Sequence, residues 1–346
     1  LNDHGEDDLG TVRGTKNLDA PHDFRGRFGF RHSQYLPYDW HATIEMSYLS
    51  DKNFLESFYR EEFETGKAQE TLIHLKRLRD NWAFSILAKA RINNFDTDVE
   101  ELPTIEFHQK GQSLWDDKLT YYSDYNLGRV RNRYDNSLDT TLPEKFYTFG
   151  YTRQEIDMPL TWENLKIVPF VAGSYAYDDQ DGFTYDLDNN QKAYEDNGVL
   201  GEVGARVSTM FWKTDTTIKS EKWDLNGIRH IIKPHLEFST YTSNEDGLEM
   251  RDYINVGLSQ RWQTKRGPKE NLRTLDWMRL DIDSTWVSDD AEYDNTMFAP
   301  SVFLYNDPSI PYFTRKSTPF WGMIRDSINA DYMWRVSDTL SIMSDI

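Results

Sequence analysis

Trp40-His41-Ala42-Thr43-Ile44-Glu45-Met46-Ser47-Tyr48 decides the fold class. Trp40, Ala42, Ile44, Met46 and Tyr48 take every second place, and His41, Thr43, Glu45 and Ser47 stand between them. Successive side chains of a strand point to opposite faces, so this period of two predicts a strand with one apolar and one polar face. The pattern recurs on both sides. Phe28 and Phe30 alternate with Arg27, Gly29 and Arg31. Across 82–92, Trp82, Phe84, Ile86, Ala88, Ala90 and Ile92 oppose Ser85, Lys89 and Arg91. Val203, Ala205 and Val207 oppose Glu202, Gly204, Arg206 and Ser208, and Ile254, Val256 and Leu258 oppose Asn255, Gly257, Ser259 and Arg261. Met278, Leu280 and Ile282 oppose Arg279, Asp281 and Asp283. Continued along the chain, the pattern predicts roughly 14 to 16 strands of about ten residues each.

The connections differ in character. Gln34 to Asp39 reads as a turn carrying Pro37, and Arg79-Asp80-Asn81 as a tight one. Asn132 to Glu144, Asp178 to Asn197 and Ser288 to Asn295 are long and acidic. Only Asp51 to Phe63 has helical spacing, with Phe54, Leu55, Phe58 and Tyr59 set among Glu56, Glu61 and Glu62. Leu1 to Phe24 is unpatterned and reads as a linker.

The chain has 346 residues, no cysteine and a formal net charge of −19. A nucleic-acid reader would show a basic stripe, and none is present. Mean hydropathy is −0.75. That value, with no long apolar run, argues against transmembrane helices but not against a barrel, in which only alternate residues face lipid. The 20 Tyr and 11 Trp suit interfacial girdles and would equally suit a carbohydrate-binding β fold. Trp40, Tyr48, Trp82, Tyr175, Tyr177 and Trp286 fall at strand tips. The expected fold is therefore all-β: a large antiparallel transmembrane β-barrel, present as an incomplete, open segment. Residues 1–24 lead into it, and 25–346 form a partial barrel without its closing strands, Ile346 falling in mid-alternation. Ile44, Met46, Val203, Val207, Leu280 and Ile282 are expected to face lipid. Arg27, Arg31, Glu45, Lys89, Arg91, Arg206, Arg261, Arg279, Asp281 and Asp283 are expected to face a wet lumen.

Motifs for chemistry are missing. There is no His-Glu-x-x-His, Gly-x-Ser-x-Gly or Gly-Lys-Thr. His230 and His235 are five apart, which on a strand puts them on opposite faces. Tyr177 to Gly182 sets Asp179 and Asp181 at calcium-loop spacing, but Tyr177 and Asp188 occupy positions that need other ligands, so a solvated loop is the better reading. No catalytic residue, cofactor or metal is expected, and the chain reads as a non-enzyme. Pro37, Pro159, Pro169 and Pro234 lie at or within strands. Each marks either a turn or bulge, or a weak seam, because proline donates no ladder hydrogen bond.

Several segments, in order, resemble the LptD family of outer-membrane lipopolysaccharide-assembly proteins. They are Tyr48 to Phe58, Leu102 to Phe107, Leu119 to Asn132, Lys166 to Val171, Ile231 to Leu236 and Val256 to Arg261. The family's periplasmic jelly-roll domain and closing strands have no counterpart. The resemblance implies a protein of the bacterial outer membrane that passes glycolipid through a polar lumen. A lateral seam near residues 25–48, with Pro37 beside it, would release the lipid. The implied partners are lipopolysaccharide or a related glycolipid, an LptE-like plugging lipoprotein and periplasmic lipid-bridge proteins. Rival readings are a generic porin or solute-transporter barrel and a secreted β-rich carbohydrate-binding protein.

Overall fold

The computed structural model describes residues 2–9, 18–19, 22–137, 144–179, 183–185, 191–193, 197–243, 252–267, 271–288 and 326–345. Strands β1 (Glu6–Asp7) and β2 (Leu18–Asp19) pair with each other. Then come β3 (Arg27–Leu36), β4 (Trp40–Leu49), helices α1 (Phe54–Phe58) and α2 (Arg60–Thr65), β5 (Leu72–Arg79), β6 (Trp82–Lys89), β7 (Asp98–Leu114) and β8 (Leu119–Arg133). Next are β9 (Tyr147–Asp157), β10 (Leu160–Trp162), β11 (Leu165–Asp178), β12 (Phe183–Tyr185), β13 (Gln191–Ala193), β14 (Asn197–Thr209) and β15 (Phe211–Ser220). The last are β16 (Leu225–Ser243), β17 (Tyr253–Arg266), β18 (Arg273–Val287), β19 (Ser327–Arg335) and β20 (Ser341–Asp345).

Sixteen of these strands form one sheet, with main order β20-β19-β18-β17-β16-β14-β11-β9-β8-β7-β6-β5-β4-β3; β10 pairs with β11, and β15 with β16. The order has two ends. β3 pairs only with β4, β20 pairs only with β19, and among the described residues no sheet closes on itself. This corrects the transmembrane-barrel reading: the molecule is a large antiparallel sheet, not a barrel segment with a lumen. Alternation fixes which way side chains point, but closure depends on pairing between remote strands, and a local pattern does not carry that.

Contacts divide the chain into unit 1 (1–110, 123–152 and 176–181) and unit 2 (111–122, 153–175 and 182–346). In unit 1, β3 runs to Leu36, five residues past the predicted strand, because His32, Ser33 and Gln34 pair with Ile44, Thr43 and Ala42. The turn is Pro37-Tyr38-Asp39, with Tyr38 and Asp39 at φ 64° and 63°, the left-handed values a tight hairpin needs. Pro37 thus sits at a hairpin tip. The helical stretch splits at Tyr59 (φ −139°) into two short helices. Leu49, Phe54 and Leu55 form their buried cluster, with Phe63 and Phe95 packed against it.

In unit 2, three prolines lie where ladders break. Ser208 pairs with His235 and Phe211 with Ile232, so the register is unchanged from β14 to β15, yet pairing lapses around Met210. Pro234 lies opposite this gap and has no N–H to donate across it. On its other side Pro234 stays paired with Leu258 of β17. The gap between β9 and β10 holds Pro159 and faces Pro169, whose carbonyl accepts the Met158 N–H at 2.9 Å.

Candidate functional site

The sheet separates its side chains by chemistry. In unit 2 the pairs Val203–Thr240, Ala205–Phe238 and Val207–Leu236 share one face, and Ile254, Val256 and Leu258 of β17 continue it. Trp286, Ile282, Leu280 and Met278 extend it on β18, and Ile328, Ala330, Tyr332 and Trp334 on β19. None of these residues is charged. Several are well exposed: Val203 to 55%, Ile254 to 50% and Trp286 to 51%. From Trp286 to Met278 the face runs about 27 Å along β18, at roughly 3.4 Å per residue. Trp286 stands at one end of that run, and Trp262 and Trp334, both in register with Met278, stand at the other.

The opposite face of unit 2 holds a buried ionic network. Arg153 and Glu202 are each 3% exposed and meet at 2.6 Å. Arg153 also pairs with Glu155. Arg206 reaches Glu155 at 2.9 Å, Asp157 at 3.3 Å and Glu237 at 3.4 Å, with its guanidinium 4.0 Å over the Phe170 ring. Ser239 donates to Glu202 at 2.7 Å and Tyr253 to Glu237 at 3.1 Å. Two guanidinium groups thus hold four acid side chains. Of these six residues the sequence reading named Arg206 as a lumen candidate and placed Glu202 on the same polar face, and it passed over the other four. Arg153, Glu155 and Asp157 carried a readable signal, three charges at alternate positions. Glu237 and Ser239 show the same parity.

Further along this face His235 bonds Asp283 at 2.9 Å across the intervening strand β17. Gly257 lies beneath them, and a Cβ there would overlap both side chains. Gly257→Ala is expected to push the His235 ring and the Asp283 carboxylate apart, break this contact and destabilise the sheet by about 0.5–1.5 kcal/mol, the worth of one hydrogen bond. Equilibrium unfolding checks it, and an unchanged midpoint would refute the reading. His230 stacks on Trp262 at 4.6 Å, on the face opposite His235.

The other predicted residues are placed as follows. Arg279 bonds its neighbour Asp281, and exposed Arg261 lies in register with Arg279. In unit 1, Arg31 and Lys67 both reach buried Glu45, at 3.1 and 3.0 Å. Lys89 meets Asp98 at 2.9 Å. Arg27 meets Glu62 at 2.6 Å and lies 4.0 Å over Tyr59. Arg91 is off the sheet: β6 stops at Lys89, and the guanidinium donates to the carbonyls of Asp96 at 2.8 Å and Tyr134 at 2.6 Å. On the apolar faces Met46, Val203 and Ile282 are exposed, and Ile44, Val207 and Leu280 half-buried. Gln180, Asp181 and Gly182 of the candidate calcium loop lie outside the described residues, as do most of the acidic connections.

Unit 1 repeats the apolar face with Phe28, Tyr48, Phe30, Met46, Ile44 and Ile73. At its end Arg77 lies over Trp40 and Trp82, 5.9 and 5.3 Å from their ring centroids. Among the described residues no helix is long and apolar enough to cross a membrane, which leaves strands unaddressed. No protein-family model matches the chain, and no curated protein matches it. The ordered likeness to LptD segments is therefore corrected: five of the segments are stretches of amphipathic strand of a kind that any such sheet needs, and Tyr48 to Phe58 is a strand end followed by the short helix α1. Lipopolysaccharide transport through a lumen and seam goes with it, as does the porin alternative, because the sheet is open.

Proposed function

We propose that this chain is a non-enzymatic, lipid-contacting sheet, with its apolar face against membrane hydrocarbon and its ionic face in a hydrated or polar environment. The observation that carries this is the separation of chemistry across the sheet. Exposed Val203, Phe238, Ile254 and Trp286 lie on one side, and buried Arg153, Glu155 and Glu202 on the other. A water-soluble sheet covers its apolar face and exposes its charges, and large exposed apolar patches on a protein mark interaction surfaces. Lipid fits better than a protein partner for two reasons. The strip formed by the named residues of β14, β16, β17, β18 and β19 carries no charge over about 27 Å of strand. Its ends carry Trp, with Arg77 over Trp40 and Trp82 in unit 1, as residues do at the membrane–water interface.

The chain has no cysteine, so single labels can be added cleanly. Val203→Cys and Ser208→Cys put an environment-sensitive dye on opposite faces of β14. In vesicles containing spin-labelled acyl chains, the dye at 203 should be strongly quenched and the dye at 208 weakly. Equal quenching at both sites would overturn the reading. So would protection of 203 only when a second protein is added, which would make the face a protein interface.

A further inference from the structure

Unit 1 contains a cavity of about 350 Å³ between α1–α2 and the loop at 90–97. One side is apolar, built from Leu49, Leu55, Phe63 and Phe95. The other is ionic, and most of its charges are neutralised within the protein. Lys67 meets Glu45 at 3.0 Å and Glu70 at 2.7 Å. Asp98 meets Lys89 at 2.9 Å, and Glu62 meets Arg27 at 2.6 Å. Arg91 is engaged by main-chain carbonyls. Asp96 is different: it lines the cavity, is half-buried, and has no cation at ion-pair distance among the described residues. Burial holds its carboxyl above the ordinary value of 3.8, and the nearby carboxylates of Asp98 and Asp135 add to this, against a hydrogen bond from Asn93 and the charge of Arg91. The cavity thus joins an apolar wall to one under-compensated acid.

We propose that this cavity binds a small organic ammonium ion with an apolar or aromatic body, its N–H groups donated to Asp96 and its body against Leu49, Leu55, Phe63 and Phe95. The volume lies at the small end of ligand pockets, which span roughly 300–1,000 Å³. An ammonium group supplies the missing charge and forms charge-assisted hydrogen bonds, and aromatic walls favour a cation. An anionic ligand of the same shape meets repulsion, and a neutral one leaves Asp96 uncompensated. The proposal is independent of lipid contact, so either can fail alone.

Calorimetric titration of the full chain with benzylamine, benzyl alcohol and benzoate, in one detergent and at physiological salt, tests it. Benzylamine should bind tightest. Asp96→Asn should weaken benzylamine roughly ten- to hundredfold, the equivalent of one charged hydrogen bond, while leaving benzyl alcohol unchanged. Asp96→Glu should restore part of the loss. In the unsubstituted chain, benzylamine binding should weaken as acid protonates Asp96, a readout that needs no variant. Equal binding of the three probes, an unchanged Asp96→Asn affinity, or a flat acid profile would each overturn it. Amine binding that salt abolishes would mark general attraction to the acidic surface and overturn it too.

Discussion

Replacing Arg153 by methionine should cost about 3–5 kcal/mol, the usual penalty for stranding a buried charge. Arg153 is 3% exposed and holds Glu202 at 2.6 Å and Glu155 beside it. Without it Glu202 keeps only the Ser239 hydroxyl, at 2.7 Å, among the contacts described above. Arg206 is already shared between Glu155, Asp157 and Glu237. Lysine at 153 should recover part of the loss, because one ammonium group cannot bridge two carboxylates as a guanidinium fork does. Arg153→Met combined with Glu202→Gln should be more stable than Arg153→Met alone, since removing both charges leaves less uncompensated. Denaturant unfolding of the four proteins in detergent measures this. A loss below about 1 kcal/mol, typical of an exposed ion pair, would mean the network is solvated and not buried.

What could be read from sequence follows from the range of each signal. Period-two alternation is local, so it marked the strands at 40–48, 254–261 and 278–283 and the split of their apolar and polar side chains between two faces. The same rule overran at 90–92: Ala90 and Ile92 keep the alternation although β6 has ended, which put Arg91 on the sheet. Closure was not local. An open sheet and a barrel demand the same alternation in every strand, and both can carry aromatic strand tips and long acidic connections, so none of the local signals behind the barrel reading could separate the two. The cavity was equally hidden. Leu49, Phe63, Lys67 and Asp96 have no spacing that announces them, and they meet only because two short helices fold back over the strand ends. Arg25 was passed over as the first residue after a linker, with no periodicity to mark it.

Arg25 is nevertheless the most buried cation described, at 0% exposure. Its guanidinium donates to Asp51 at 2.9 and 2.8 Å, to Asp7 at 2.5 Å and to Asp3 at 3.1 Å, and lies 4.9 Å over the Phe58 ring. One side chain thereby fastens residues 2–9 to the loop before α1. Arg25→Met should cost about 3–5 kcal/mol at neutral pH, because buried Asp7 and Asp51 lose their shared counter-ion. The response to acid should then weaken. In the unsubstituted protein burial tends to raise the Asp51 carboxyl, but hydrogen bonds from Arg25 and Ser50 outweigh it and hold the group below its ordinary 3.8. A depressed carboxylate contributes stability that is present above the unfolded value and is lost as pH falls through the folded one. Stability should therefore persist down to the ordinary carboxylate range and drop below it. In Arg25→Met the hydrogen bonds and charge of Arg25 are gone while those from the Ser50 hydroxyl and the Asn53 N–H remain, so burial is less fully opposed and Asp51 titrates higher than in the unsubstituted protein; mild acid should therefore cost the variant less stability. Limited proteolysis between residues 9 and 25, followed against pH, reads both proteins. Acidification should raise cleavage steeply in the native protein and only weakly in the variant, which starts from a higher level. Parallel profiles would show that Arg25 does not govern Asp51, and the fastening of residues 2–9 would then need another cause.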